Sequence, residues 1–222
     1  MGIIGIVSAL TLPNLNSSTG EKEKVAKVQK LYSNLQDAYG RMIAVYGPID
    51  EWSGGDSDTA IRFLDRMKDF MKVSKYCGKT SPENCFDFKN SKTGEKDTSN
   101  PTMITADGTA LLYWGATSCS KINTTDTLAT CGTIVIDIDG TAKGKNVESY
   151  DQFAFTVTPD QGIIPQGQET QNYNSATSCL GWKSYCAGWV IDYGNMDYLK
   201  ANNTQHKCPN GKILSANVTS CK

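Results

Sequence analysis

The sequence predicts an α+β fold: a long N-terminal helix packed on an antiparallel β-sheet of about four strands, with disulfide-stapled loops. Three observations predict it. Apolar residues recur at helical spacing over 21–46, and apolar alternation of period two sets in after residue 102. All eight cysteines lie in the C-terminal two-thirds of the chain. Helices first and strands afterwards exclude a βαβ repeat. A chain of 222 residues suffices for one good core, so residues 21–222 read as one globular domain and 1–20 as an apolar extension.

Within the domain, Val25, Val28, Leu31, Leu35, Ala38 and Met42 form one helix face over 21–46, with Tyr32, Tyr39 and Tyr46 beside it. Gly47-Pro48 stops this helix. The apolar start belongs to the same rod, with a kink expected at Pro13 and a weak stretch over 14–20. Asp56 to Thr59 supplies N-cap candidates for a second helix over about 58–73, faced by Ile61, Leu64, Met67 and Met71. Residues 47–101 make an αβ region whose part from 77 onward reads as a polar surface loop.

The sheet and its loops occupy 102–222. Met103–Thr105 and Ala110–Trp114 flank an Asp107-Gly108 turn and read as a hairpin. Ile134, Ile136 and Ile138 alternate in the next strand, and Phe153, Phe155 and Val157 in the one after. Ala187, Trp189, Ile191 and Tyr193 alternate in the last. Loops are expected over 115–132, 140–150 and 159–186.

The cysteines are Cys77, Cys85, Cys119, Cys131, Cys179, Cys186, Cys208 and Cys221. No C-x-x-C pair occurs, and the single histidine, His206, cannot complete a Cys/His zinc set. Disulfides account for them better and imply an oxidising compartment. The spacing favours four local pairs, 77–85, 119–131, 179–186 and 208–221.

Bulk charge narrows the function classes. The net charge is −1 with both signs interspersed, so no basic face for nucleic acid is expected and no polybasic cluster for anionic lipid. A mean hydropathy of −0.39 excludes a polytopic membrane protein. The apolar start is about 12 residues long and spans ~18 Å as a helix, against a hydrocarbon core of ~30 Å.

That start, Gly2-Ile-Ile-Gly-Ile-Val-Ser-Ala-Leu-Thr-Leu-Pro13-Asn-Leu, resembles the second half of the N-terminal helix of type IV pilins and type II secretion pseudopilins. Further similarity lies in Lys30 to Leu35, the Asp139-Gly140 turn, Tyr150-Asp-Gln-Phe153 and the run Ala187 to Tyr198. The family's basic leader, its cleavage-site Gly and the Glu near the mature N-terminus have no counterpart here. The sequence enters the family pattern part-way along that helix, so a longer apolar run upstream of Met1 is expected. The resemblance implies a filament subunit whose Ile3, Ile4, Ile6, Val7, Leu10, Leu12 and Pro13 belong to the polymerising helix. Its partners would be other copies of itself, related pilin-like subunits and the assembly machinery of the inner membrane. It would be anchored there before assembly and then lie in a periplasmic or extracellular bacterial filament. The competing reading of residues 1–13 is a buried core helix.

No catalytic constellation is found. One histidine makes a Ser-His-Asp triad improbable, and no G-x-S-x-G, HExxH, Walker A or G-x-G-x-x-G motif occurs. No enzyme is therefore expected. Asp137, Asp139, Glu148 and Asp151 are candidate ligands for Ca²⁺, since clustered carboxylates and loop carbonyls suit that ion and some similar pseudopilins bind it in such a loop. The EF-hand spacing fails, and the competing reading is a turn-forming Asp-Gly beside a strand. No other cofactor is expected. Asn123, Asn202 and Asn217 head N-x-T triplets that arise readily in Asn/Thr-rich loops. Trp114 and Trp189 fit the core, whereas Trp182, with Tyr185 inside the 179–186 loop, is the best exposed aromatic. It carries the alternative function, a secreted disulfide-rich binding or adhesion module that recognises glycans or a cell surface.

Overall fold

A computed structural model describes residues 3–52, 58–80, 82–86, 100–121, 128–140, 143–168, 175–182, 186–202 and 204–222. Side chains are described from Thr19 onward, except those of Thr59, Glu83, Thr117 and Trp182. Helix α1 runs Ile3–Tyr46, followed by α2 (Ile49–Trp52) and α3 (Thr59–Met67). Six strands come next: β1 (Val73–Gly78), β2 (Thr102–Thr105), β3 (Ala110–Ser120), β4 (Thr130–Asp137), β5 (Gln152–Thr158) and β6 (Gly162–Pro165). Helices α4 (Ser175–Trp182) and α5 (Cys186–Tyr193) close the chain with a loop-rich tail.

The strands form one six-stranded antiparallel meander in sequence order. This corrects the expected sheet of about four strands. Strands β1 and β6, one at each edge, carry no clean alternation: β1 reads Val-Ser-Lys-Tyr-Cys-Gly and β6 is four residues long. The hairpin arms also extend further than expected. β3 and β4 continue past a register shift after Gly115 to the pair Ser120↔Thr130.

A second correction concerns 187–193, which is helix α5 and not a strand. Cys186, Ala187, Gly188, Trp189 and Val190 are all buried, a continuous run that alternation cannot describe. Ala187 and Val190 join the main core, while Cys186 and Trp189 join a separate cluster with Ala176, Cys179, Cys208 and Leu214. A helix buried on two sides loses the one-sided stripe that marks it. Gly188 is required by packing, because a Cβ there would lie 2.7 Å from Ser175 Oγ.

The second helix is also shorter than expected. It ends at Met67, tightens to a 3₁₀ turn over Lys68–Phe70 and becomes extended at Met71. Helix α1 runs as one helix through Pro13 and 14–20.

The core forms where the α1 stripe meets the sheet. Val25, Val28, Leu31, Leu35, Ala38, Tyr39 and Met42 are all buried, against Met103, Leu111, Tyr113, Ile134, Ile136, Phe153, Phe155 and Val157. Tyr32 stacks on Phe155 at 5.7 Å, and Phe63 of α3 stacks on Tyr113 at 4.0 Å. Tyr39 O–H donates to Thr158 O at 3.0 Å, so the one polar atom this residue takes into the core is satisfied. Trp189 is fully buried as expected, but Trp114 is half-buried beside Phe86, Leu112 and Val135 on the opposite sheet face.

Both sheet edges are blunted. At the β6 edge, Gln36 of α1 accepts the Ile163 N–H at 3.3 Å. At the β1 edge, Ser74 Oγ donates to Ile104 O and Thr105 O where the register shifts. Further along β1, Lys75 Nζ reaches Asn84 O at 3.2 Å, in the turn tied back by Cys85.

Candidate functional site

The four disulfides are Cys77–Cys85, Cys119–Cys131, Cys179–Cys186 and Cys208–Cys221, the pairs the spacing favours. No cysteine is free. Each closes a loop of seven to thirteen residues and stabilises by about 2–3 kcal/mol through the unfolded chain. Cys119–Cys131 ties the β3–β4 hairpin at its loop end, and Cys179–Cys186 clamps α4 to α5.

Helix α1 is fastened to the body by polar clamps at its lower end. Lys200 Nζ lies 2.7 Å from Glu21 and 2.7 Å from Asp197. Lys24 Nζ sits 3.5 Å over the Tyr150 ring and donates to Tyr150 O at 3.3 Å. From Val25 the apolar stripe takes over. The backbone continues as helix from Gly20 back to Ile3, a further ~26 Å of rod. Ile3, Ile4, Ile6, Val7, Leu10, Leu12 and Pro13 lie on that backbone, and their side chains are outside the described residues. Among the described residues no helix is long and apolar enough to cross a membrane.

Asp197 fastens the tail to the same point. Its carboxylate accepts from Lys200 Nζ, Ser220 Oγ and the Cys221 N–H at 2.7–2.9 Å. Burial works to raise its pKa, but these donors outweigh burial and hold the group below its ordinary value. The sequence signal was faint, since one Asp in a polar tail does not advertise contacts more than twenty residues away.

The proposed calcium residues come together in part. Asp137 is buried at the end of β4, and Gln152 Nε2 donates to it at 3.1 Å. Its pKa is pushed up to about 7, by burial first, then by a hydrogen bond to Asp139 and the nearby Asp151 and Asp139 charges, against the Gln152 bond. Asp151 is also buried, and its carboxylate accepts the N–H groups of Lys145, Asn146 and Val147 at 2.5–3.0 Å. It therefore latches the 143–151 loop upon itself. A Cβ on Gly144 would fall within 2.7 Å of both Asp139 and Asp151 oxygens, so glycine is needed for the loop to close over them. Asp139 Oδ1 is buried without a hydrogen-bond partner. Glu148 is exposed as a residue, though burial of its carboxyl raises the pKa.

The Asp151 oxygens are occupied by the loop's own donors. Among the described residues no group of three or more His, Cys, Asp or Glu is placed to hold a metal ion.

The remaining expected sites scatter. Trp182 has no described side chain, and Tyr185 and Asn123 lie outside the described residues. Asn202 is exposed, but its carboxamide oxygen accepts from the Gln205 and Lys207 N–H groups. His206 is half-buried at φ 52°, beside a cleft of about 380 Å³ lined by Val147, Tyr150, Leu180, Tyr198, Leu199 and others. Sequence reasoning missed this cleft, because its lining comes from three separated segments.

Comparison of the chain with known protein families, with curated proteins and with solved structures gives no match.

Proposed function

We propose that this chain is a structural subunit of a periplasmic or extracellular filament, a type IV pilus or type II secretion pseudopilus, and that it assembles through α1. The observation that supports the reading best is one helix with two halves of different character. Its 25–42 stripe is sealed against the sheet, and its apolar 3–15 segment continues the same rod beyond the clamps at Glu21 and Lys24. Burying that segment among copies is driven by ~25 cal/mol per Å² of apolar surface. The mechanism is association, with no bond made or broken. Four disulfides suit a body that meets an oxidising exterior.

Charge placed in the rod tests the proposal. In the full chain, Ile6→Lys with Leu10→Lys is expected to abolish sedimentable polymer while the thermal midpoint of the body stays as in the parent chain. Unchanged polymer with both lysines present would overturn the reading. Binding of the parent chain to a glycan array, with no polymer formed, would favour the adhesion module instead.

A further inference from the structure

The chain contains one Asn-Gly pair, Asn210-Gly211. It lies in the C-terminal tail at the tip of a small hairpin, where Lys207 bridges Ile213 and the Cys208 N–H donates to Lys212 O at 2.8 Å. The Gly211 N–H closes the turn on Cys208 O at 2.9 Å. Gly211 sits at φ 89°, a conformation glycine adopts without a Cβ penalty. Both residues are exposed, and a Cβ on Gly211 would meet nothing within 4 Å, so water reaches the turn.

The pair is chemically reactive. An asparagine's side-chain amide carbon can be reached by the backbone nitrogen of the next residue, which closes a five-membered imide. The next side chain is the main hindrance to that closure, and glycine has none. The hairpin works against it. Asn210 Nδ2 donates to Cys221 O at 2.6 Å, and Asn210 Oδ1 accepts the Lys212 N–H at 3.2 Å, so the carboxamide is held at both of its polar atoms. The nitrogen that must attack, Gly211 N, has its hydrogen on Cys208 O. All three bonds lie inside the loop that Cys208–Cys221 closes.

We propose that Asn210 is a modification site, converted spontaneously to aspartate and isoaspartate through an imide closed by Gly211 N, at a rate the Cys208–Cys221 hairpin holds down. Gly211 N gives up its proton and attacks Asn210 Cγ. The N–Cγ bond forms, the Cγ–Nδ2 bond breaks, and the amide nitrogen takes up the proton and leaves as ammonia. Water then opens the imide at either carbonyl. One opening gives aspartate, the other isoaspartate, whose side-chain methylene enters the backbone. Amide and water become acid and ammonia, so no oxidant or further reactant is needed. The product has lost the donor to Cys221 O and carries a negative charge in its place. Cys221 is then held only by the disulfide and by its contacts with Asp197, so the end of the tail loosens. This inference goes beyond the subunit reading and does not rest on it.

The test incubates the full chain in mildly alkaline buffer, once folded with its disulfides intact and once reduced and unfolded in guanidinium chloride. Peptide mapping by tandem mass spectrometry reads the conversion at each asparagine. Position 210 is expected to convert in both samples, about ten- to a hundredfold more slowly in the folded chain, where the hairpin bonds must open first. Asn217, exposed in the same tail and followed by Val218, is the internal reference and is expected to stay unchanged. Asn210→Gln, which could close only a six-membered ring, is expected to stop the conversion. Asn210→Asp is expected to raise amide exchange over 218–222. Equal rates at 210 in the folded and unfolded chains would overturn the control assigned to the hairpin. Conversion at 217 as fast as at 210, or none at 210 in the unfolded chain, would overturn the site. Unchanged exchange over 218–222 in Asn210→Asp would overturn the loosening of the tail.

Discussion

Glu21 and Lys200 meet at 2.7 Å, where the N-terminal helix joins the folded body, and Asp197 holds the same Lys200 Nζ from the other side. This three-residue contact ties the helix to the C-terminal tail, whose Cys221 N–H also rests on Asp197. It marks the boundary between the part of α1 that belongs to the body and the part assigned to assembly.

The two carboxylates of that contact are expected to differ in weight. Glu21 is part-exposed, so Glu21→Gln should cost only about 0.2–1 kcal/mol. Asp197 is buried, and Asp197→Ala leaves Ser220 and the Cys221 N–H without their acceptor, while Lys200 keeps Glu21. A loss of about 1–3 kcal/mol is expected. Urea denaturation of the two variants checks the ordering, and equal costs would remove Asp197 as the central tie.

Buried aspartates at two sites should give opposite pH slopes. Asp197 titrates below its ordinary value in the fold, so its stabilisation is present above an unfolded pKa of about 4 and is lost as pH falls through the folded value. Asp137 is the reverse. Its folded pKa is about 7, so the unfolded chain releases this proton first and stability falls as pH rises from about 4 to 7. Asp137→Asn should flatten the curve in that window, and Asp197→Asn should flatten the acid limb. Stability–pH curves that keep the parent shape in both variants would contradict these assignments.

Gly132 is held by sterics at the register shift of the β3–β4 hairpin. A Cβ there would lie 2.4 Å from both Trp114 O and the Tyr113 hydroxyl, the group that donates to Cys131 O. Gly132→Ala is therefore expected to destabilise by about 1–3 kcal/mol, read as a lower midpoint in thermal melting. A neutral substitution would show that β4 shifts freely.

Calcium has little purchase on the 143–151 loop while Asp151 binds three loop amides. The melting midpoint is expected to be the same in calcium and in chelator, since a ligand stabilises only by binding the folded state. A calcium-dependent rise that Asp139→Asn abolishes would show instead that the loop rearranges to free its oxygens.

The elements that could be read from sequence are those whose largest apolar residues keep one period. The α1 stripe from Val25 to Met42, the Asp107-Gly108 hairpin and the alternating β4 and β5 show it, although the strands are buried on both faces. Helix α5 was misread because Trp189 packs into one cluster and Val190 into another, so apolar residues appear on every side. Edge strands β1 and β6 were missed because neither alternates cleanly: β1 reads Val-Ser-Lys-Tyr-Cys-Gly and β6 is four residues long. The disulfide pairs were legible because each is local. The Asp197 tie and the Val147–Leu199 cleft were not, since both join segments that only the tertiary fold brings together.

Amide hydrogen exchange of the full chain, assembled and dispersed, tests the central claim most directly. The account predicts that assembly adds strong protection over residues 3–20, while the amides of 25–42, already sealed against the sheet, change little. Equal exchange over 3–20 in the two states would contradict it.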